Sequence, residues 1–498
     1  MSAIENVTEA TLALFKAALS SPSEGLRKAV STGTGLVPFD LQAPAKNLYP
    51  VATPLSNVMT RVGGGVGTAT NWKVISAITG SGYDAMGWVP EGQRTGRMSY
   101  SATPKAASYK TLGEEDNITF EAINAGKTFE DVAATGVMRI LQKMMLKEEN
   151  AIFGGNNGVA LGTPTTPTVS SASTGGSIGA NTYNVIAVAL TYEGYWGASL
   201  ANGVPPSQTV TGADGSTYVL SGGSSMKSAA TSTGAIAGST NTISASVPAI
   251  TGAVAYAWYV GAAGSETLQA ITTINSVALT SLSTGNQNAS AVTADNSKNS
   301  LAFDGLLYSA FESGSGAYIN TLATGTLGTG TFLTASGRGS VNEIDNMLVN
   351  MWQNYQVSPT VLYCNAQEIR NITNKVLSNS SGPLLRYDGN GSNPYAITAN
   401  GTVEAYFNPF ALNGGYKIPI KIHPKCPPGT IVGWTEQLPA QYQNNETPNV
   451  AEMKIRADYY SLEWPIKTRA REYGVYCEET LAVYAPFAMG IINGIGNG

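Results

Sequence analysis

An α+β fold interrupted by an all-β sandwich is the architecture the sequence predicts, on three observations. Helical and strand-like periodicities alternate over residues 67–161 and again over 298–498, the pattern of helices packed on a sheet. Between 162 and 297, strand-like runs are separated by Gly, Ser and Asn clusters, and from Gly162 to Thr293 the only charged residues are Glu193, Asp214, Lys227 and Glu266. Charged residues make up 12% of the 498 and glycines number 56, yet 43% of the chain is hydrophobic and 8% aromatic. Disordered chains lack that aliphatic and aromatic content, so the low charge signals short strands and tight turns.

A chain of this length provides for roughly three domains with buried cores. Its formal charge of -5, with no dense Lys/Arg cluster, excludes a nucleic-acid gripper, whose footprint is a basic patch. Cys364, Cys426 and Cys477 are an odd set in so long a chain and argue for free buried thiols in a reducing compartment rather than a disulfide framework. The opening MSAIENVTEATLALFKAALSS has no basic n-region, and Lys16 interrupts its apolar run, unlike a secretory signal. The apolar stretch from Leu481 to Ile492 is shorter than the roughly 20 residues that span a bilayer, so no membrane anchor is expected.

Residues 1–66 read as an N-terminal arm, because from Ser23 to Val66 the text is turn-rich and punctuated by Pro38, Pro44, Pro50 and Pro54. Within 67–125, NWKVISAI (71–78) and TPKAASYKTLGEEDNITFEA (103–122) read as strands joined by a connection too long for a tight turn. The result is a long projecting hairpin with Trp88, Glu91, Arg94 and Arg97 near its tip. A long helix dominates 126–161: Thr128 and Asp131 form a capping-box pattern, and Phe129, Val132, Val137, Ile140, Leu141 and Met144 fall on one face. Gly154 and Gly155 are expected to end it in a left-handed cap. About 25 residues at 1.5 Å rise make a rod of roughly 35 to 40 Å, long enough to brace an elongated domain.

Residues 162–297 contain strand-like runs at TYNVIAVALTYEGYWGAS, TISASVP, AVAYAWYVGAAG and LQAITTINSVALTSL, with Trp258 flanked by Tyr256 and Val260 at alternate positions. In pattern the segment is similar to a fibronectin type III or immunoglobulin-like module. AIFGGNN before it and LAFDGLLY after it read as two sides of one loop, the kind of place where an insertion is tolerated. In 298–498, Ser340 with Glu343 caps a helix whose Ile344, Met347, Leu348, Met351, Trp352 and Tyr355 share a face. SPTVLYC reads as a buried strand, Asn365 as an N-cap, and AQEIRNITNKVL as a third helix, before a tail of alternating strands.

Enzymatic constellations are weak throughout. The single histidine, His423, has no evident nucleophile or metal partner and reads as structural. The spacing SSMK (224–227) matches Ser-x-x-Lys acyl-transfer sites, but neither Ser-Asp-Asn nor Lys-Thr-Gly follows. AGKTF (125–129) lacks the first glycine of a phosphate loop, since Glu121 stands there, and reads as helix entry. GGGVG (63–67) reads as a flexible turn, and YDGNGSN (387–393) lacks the closing Glu of a calcium loop. No catalytic residue, cofactor or metal ligand is predicted.

The order of these elements resembles the major capsid protein of a tailed bacteriophage, the Hong Kong 97-type shell fold, carrying an immunoglobulin-like insertion. VPEGQ (89–93) in the hairpin, TFEDVAATGVMRILQKMMLKEENAIFGG as the spine helix, and NEIDNMLVNMWQNYQVSPTVLYCNAQEIRNITNKV opening the axial domain carry the likeness. IPIKIHPKCPPGTIVGW and YCEETLAVYAPFAMGIING extend it. The resemblance implies an N-arm (1–66), an extended hairpin loop with peripheral-domain strands (67–125), a spine helix (126–161), the inserted sandwich (162–297), and an axial domain with peripheral return strands (298–498). It further implies a non-enzymatic virion protein, assembled in the host bacterial cytoplasm from hexamers and pentamers into an icosahedral shell. Such a shell encloses double-stranded DNA without sequence-specific binding, and its partners are other copies, a portal, and scaffolding or cement proteins. The family's long cleaved scaffolding region has little room here, where only about the first 30 residues are free for it, and no lysine-asparagine crosslink is carried over. Trp88 is the candidate buried interface anchor, and Glu91, Arg94 and Arg97 are candidates for intersubunit ion pairs. Two other readings are an encapsulin-like nanocompartment shell and a secreted β-rich adhesin or carbohydrate-binding protein; the missing export signal opposes the second.

Overall fold

The computed structural model describes residues 50–79, 88–94, 96–127, 131–211, 215–336, 339–378, 386–387, 397–398, 403–411, 414–439, 442, 449–466 and 468–498. The chain runs from β1 (Thr60–Val62) through β2 (Ala69–Thr79), β3 (Ser99–Ser108) and β4 (Lys110–Thr119) to a short helix α1 (Phe120–Gly126) and a long one, α2 (Val132–Gly154). Next come β5 (Thr168–Ala172), β6 (Asn181–Leu190), α3 (Tyr192–Gly197), β7 (Gln208–Thr211), β8 (Thr217–Leu220), β9 (Thr231–Ile236) and β10 (Thr242–Ser246). They are followed by β11 (Ala255–Gly261), β12 (Thr267–Thr272) and β13 (Ser276–Leu279). After α4 (Leu306–Phe311) the chain forms β14 (Tyr318–Thr321), α5 (Asn342–Tyr355), β15 (Val361–Cys364) and α6 (Ala366–Ser378). It ends with β16 (Arg386–Tyr387), β17 (Ile397–Thr398), β18 (Ala405–Asn408), β19 (Tyr416–Ile422), β20 (Ile431–Trp434), β21 (Ala451–Glu463), β22 (Ala470–Val483) and β23 (Met489–Asn493). The mixture is α+β.

Four larger sheets organise the described residues. A four-stranded sheet, β1-β21-β22-β4, carries α2 across one face, where Ile140 and Met144 meet Val475 and Cys477. A six-stranded mixed sheet, β14-β23-β20-β15-β19-β18, packs against α5 through Ile344, Met347, Leu348 and Met351. Between α2 and α4 in the chain lie two further sheets, β13-β10-β5 and β12-β11-β6-β9. Their facing sides interlock Ala187, Tyr256, Trp258 and Val260 with Ile243, Ala245, Val277 and Leu279. The other face of β6 and β11 is buried too, where Val188, Ala257 and Tyr259 meet Val204, Ala289 and Val292. Burial on both faces explains why NVIAVAL and AYAWYV read as unbroken apolar runs rather than alternating ones.

The chain enters and leaves this double-sheet region at one clamp. The Gly305 N–H donates to the Gly155 carbonyl at 2.8 Å, and the Asn157 and Gly158 N–H groups donate to Asp304 Oδ1 at 2.7 Å. Asn156 Nδ2 donates to the Ser297 carbonyl at 2.8 Å. The region is also docked beyond its clamp. Tyr192 and Val254 belong to the large core, the Tyr192 N–H donates to the Tyr308 hydroxyl at 2.8 Å, and that hydroxyl donates to the Gly252 carbonyl at 3.1 Å.

Several local expectations are corrected. The run 103–122 is not one strand: β3 pairs with β2, the chain changes partner at Tyr109, and β4 pairs with β22. Its last residues turn into α1, because the Thr119 hydroxyl caps the Ala122 N–H at 3.3 Å. Helix α2 is capped by Asp131, whose carboxylate accepts the Ala133 and Ala134 N–H groups at 3.1 Å, while Thr128 lies outside the described residues. Its end is not a left-handed cap, since Gly155 has φ -57°. Glycine is needed there for close approach, as a Cβ at Gly155 would sit 2.4 Å from the Phe303 carbonyl oxygen. Helix α5 lacks the capping box: Val341 is its N-cap, the Ser340 hydroxyl donates to the Ser336 carbonyl, and Glu343 accepts the Thr334 N–H at 2.9 Å. YEGYWG folds as α3, capped by Thr191, and LQAITTINSVALTSL divides into β12 and β13 on opposite sheets.

Candidate functional site

The hairpin β2–β3 pairs from Ala69 opposite Ser108 to Thr79 opposite Ser99, with an irregularity between Ile75 and Ala77. Eleven residues at about 3.3 Å rise carry it roughly 35 Å from its base. The base is fixed by Trp72, whose ring meets Tyr484 edge-on at 5.4 Å. Beyond the base, every described residue from Trp88 to Ala106 is exposed. Ile78 (66% exposed) stands opposite Tyr100 (67%), and Ile75 and Met98 are also exposed. A lone two-stranded ribbon is marginal in water, and it leaves this apolar cross-strand pair bare.

Trp88, Glu91, Arg94 and Arg97 lie together on the segment linking β2 to β3, and all four are exposed, Trp88 at 87%. A turn closed by the Gln93 N–H donating to the Pro90 carbonyl at 3.1 Å, with Gly92 at φ 73°, shapes this end. Among the described residues none of the four makes a hydrogen bond or ion pair within the chain, so the structure gathers them at one end without joining them.

A second polar cluster escaped sequence reasoning. Glu148 and Glu149, consecutive on α2, are both buried and clasp the segment that precedes β2 at two points. Glu149 accepts the Leu55 and Ser56 N–H groups at 2.8 Å and bonds His423 Nε2 at 2.8 Å. Because His423 Nδ1 accepts the Lys425 N–H at 3.2 Å, the ring proton sits on Nε2 and is donated to Glu149. Glu148 pairs with Arg61 of β1 and accepts the Tyr459 hydroxyl. Arg61 also reaches Asp458 Oδ1 at 2.8 Å and lies 3.7 Å from Glu479 Oε2. Burial opposes the Arg61 charge, but Glu148, Asp458 and Glu479 outweigh it and hold its pKa above the ordinary value. Burial, and then the Glu148 contact, push the Tyr459 hydroxyl upward. The sequence offered only the acidic pair after Lys147; its partners lie 87 and 274 residues away.

None of this is arranged for catalysis. His423 is fully buried, stacked on Phe153 at 4.7 Å and edge-on to Tyr363 at 6.0 Å, with no face open to a substrate. Ser224 is buried, and no hydrogen bond joins it to Lys227 among the described residues. Lys127 follows the end of α1 instead of opening a helix, and GGGVG leads into β2. Residues 388–393 of YDGNGSN lie outside the described residues. Among the described residues no three His, Cys, Asp or Glu side chains converge as a metal site, and no helix is long and apolar enough to cross a membrane.

No protein-family model matches the chain, and no curated protein matches it. Among solved structures it is similar to the capsid of the native GTA particle, at 9% identity and a TM-score of 0.42 over 94% of this chain and 99% of that one. It is similar to the capsid of Myoviridae phage XM1, at 9% identity and a TM-score of 0.39 over 91% and 95%. The encapsulin complex of Synechococcus elongatus PCC 7942 gives 9% identity and a TM-score of 0.38 over 91% and 93%. Likenesses of this size leave the functional reading to rest on the geometry.

Proposed function

We propose that this chain is the major capsid protein of a tailed phage, of the Hong Kong 97 type, whose copies assemble into an icosahedral shell around double-stranded DNA. The single observation that carries the reading is the projecting hairpin, a ribbon of roughly 35 Å that exposes Ile78 and Tyr100 side by side. Such a ribbon is stable when it lies across a neighbouring copy. In this reading residues 1–66 are the arm, 67–125 the hairpin loop with peripheral strands, 126–161 the spine helix, and 162–297 an immunoglobulin-like insertion. Residues 298–498 are the axial domain with peripheral return strands. Trp88 anchors the interface, and Glu91, Arg94 and Arg97 make ion pairs to adjacent copies. Hexamers and pentamers result, with portal, scaffolding and cement proteins as further partners. The formal charge of -5 suits a container that confines DNA without gripping it.

Assembly is tested by size-exclusion chromatography with light scattering, followed by negative-stain electron microscopy. Rings of five or six subunits, or closed shells, are the expected outcome. A monomer near 51.7 kDa at every concentration would overturn the reading. Nucleic acid inside particles made in the infected host, rather than protein cargo, separates a virion shell from a nanocompartment.

A further inference from the structure

We infer that the hairpin β2–β3 meets a second copy of the chain through one face only, and that the extra residue at position 76 decides which side chains share that face. This rests on the shell reading and names the side of the ribbon that docks.

Residues directly opposite one another on an antiparallel ribbon share a face, and the next pair along points the other way. Near the base, Trp72 stands opposite Lys105, Val74 opposite Thr103 and Ile75 opposite Ala102. The register then shifts: Ala77 stands opposite Ser101 and Ile78 opposite Tyr100, so β2 uses one more residue than β3 across this step. Tyr100 and Ala102 share a face of β3, and their partners Ile78 and Ile75 therefore share it too. In a regular strand, two residues three apart point to opposite faces.

The shift sorts the ribbon into two unlike sides. One side carries Ile75 (58% exposed), Ile78, Tyr100, Ala102 and Pro104, and Met98 lies two residues before Tyr100. The other carries Ser99, Ser101 and Thr103, all exposed, and nearer the base the half-buried Val74 and Trp72. Trp72 meets Tyr484 and Lys105 lies 3.9 Å from Glu312, so the polar side is the one turned toward the chain's own body. The apolar side is turned away from it.

Ile75, Ile78, Met98 and Tyr100 are each more than half exposed, and together they form a patch on the scale of the few hundred Å² that marks an interaction site. Charge and area both point to a second copy as its cover. Between Ala69 and Ser108 the cations Lys73, Arg94, Arg97 and Lys105 outnumber the acids Asp84 and Glu91, whereas the whole chain has a formal charge of -5. The rest of the chain is thus negative, the electrostatic complement of the ribbon. A patch of this size falls short of the roughly 800 Å² that each side of a standalone pair buries, so one such contact does not hold two molecules together. Repeated head to tail around a closed ring, with every copy giving one ribbon and receiving another, it does.

A lysine scan of the full chain, read as particle yield by sedimentation and negative-stain microscopy, tests the face. Tyr100→Lys and Ala102→Lys should lower the yield at least about tenfold, while Ser99→Lys and Ser101→Lys keep it within about twofold of the parent. Ile75→Lys and Ile78→Lys should both behave like Tyr100→Lys, which a regular strand would not allow. All six positions are exposed, so the unfolding midpoint of the unassembled chain should match the parent's and separate lost docking from lost folding. Deleting Ser76 carries Ile78 to the polar side without removing any side chain of the patch, and should lower the yield as Tyr100→Lys does. Equal responses on the two sides, opposite responses at Ile75 and Ile78, or parental yield after the deletion would overturn the proposal, and an assembling parent would leave the shell reading standing. A parent that forms no particle overturns both.

Discussion

Glu149 does the work of a junction box with a single side chain. Its two oxygens collect two backbone N–H groups from the segment before β1 and the imidazole N–H of His423, the Leu55 and His423 bonds fully buried and the Ser56 bond partly so. Truncating it strands three donors, which is costlier than losing the bonds themselves. Glu149→Ala should lower unfolding free energy by about 3 to 5 kcal/mol, the cost of breaking a buried charged network, measured by urea denaturation. A loss below about 1 kcal/mol would show that the segment is held elsewhere. Nothing in the sequence sets Glu148 and Glu149 apart from other helix charges, because burial of an acid depends on partners that only the fold brings near. Trp258, by contrast, stands in a continuous apolar run that marks a buried strand, and it is fully buried.

At the scale of elements, the hairpin separates two kinds of stability. The described residues of its outer half are exposed, so a double substitution Ile78→Ser and Tyr100→Ser should leave the unfolding free energy of the isolated chain within about 0.5 kcal/mol of the parent. Particle yield by sedimentation should collapse in the same variant, and undiminished yield would remove the hairpin from the assembly interface. Existence and type of the long helices were readable, as α2 and α5 illustrate, since their periodicities are local. Their ends were not. Asp131 caps α2 where Thr128 was expected, and Glu343 serves the loop at Thr334 instead of its own helix, because a cap is chosen by competing local geometries that share one sequence pattern.

For the whole molecule, the composition shift at Gly162 announced a change of architecture, but not how firmly that region is seated. Tyr192 and Val254 enter the large core, and Tyr308 bonds the region at two points. Replacing residues 162–297 by Gly-Gly should leave a cooperative remainder with a lower Tm than the parent, seen by calorimetry, because Phe153 and Tyr308 lose their cover. Loss of any cooperative transition would make the region integral to the core. The six-stranded order β14-β23-β20-β15-β19-β18 was beyond sequence reading, since its parallel neighbours come from distant parts of the chain. The solitary histidine has one more use: a chain with a single imidazole gives one set of ring nitrogen resonances. Since the carboxylate that binds that ring also holds Leu55 and Ser56, the protein carries a built-in spectroscopic beacon. Its chemical shift tells whether the segment at Leu55 and Ser56 is seated on α2.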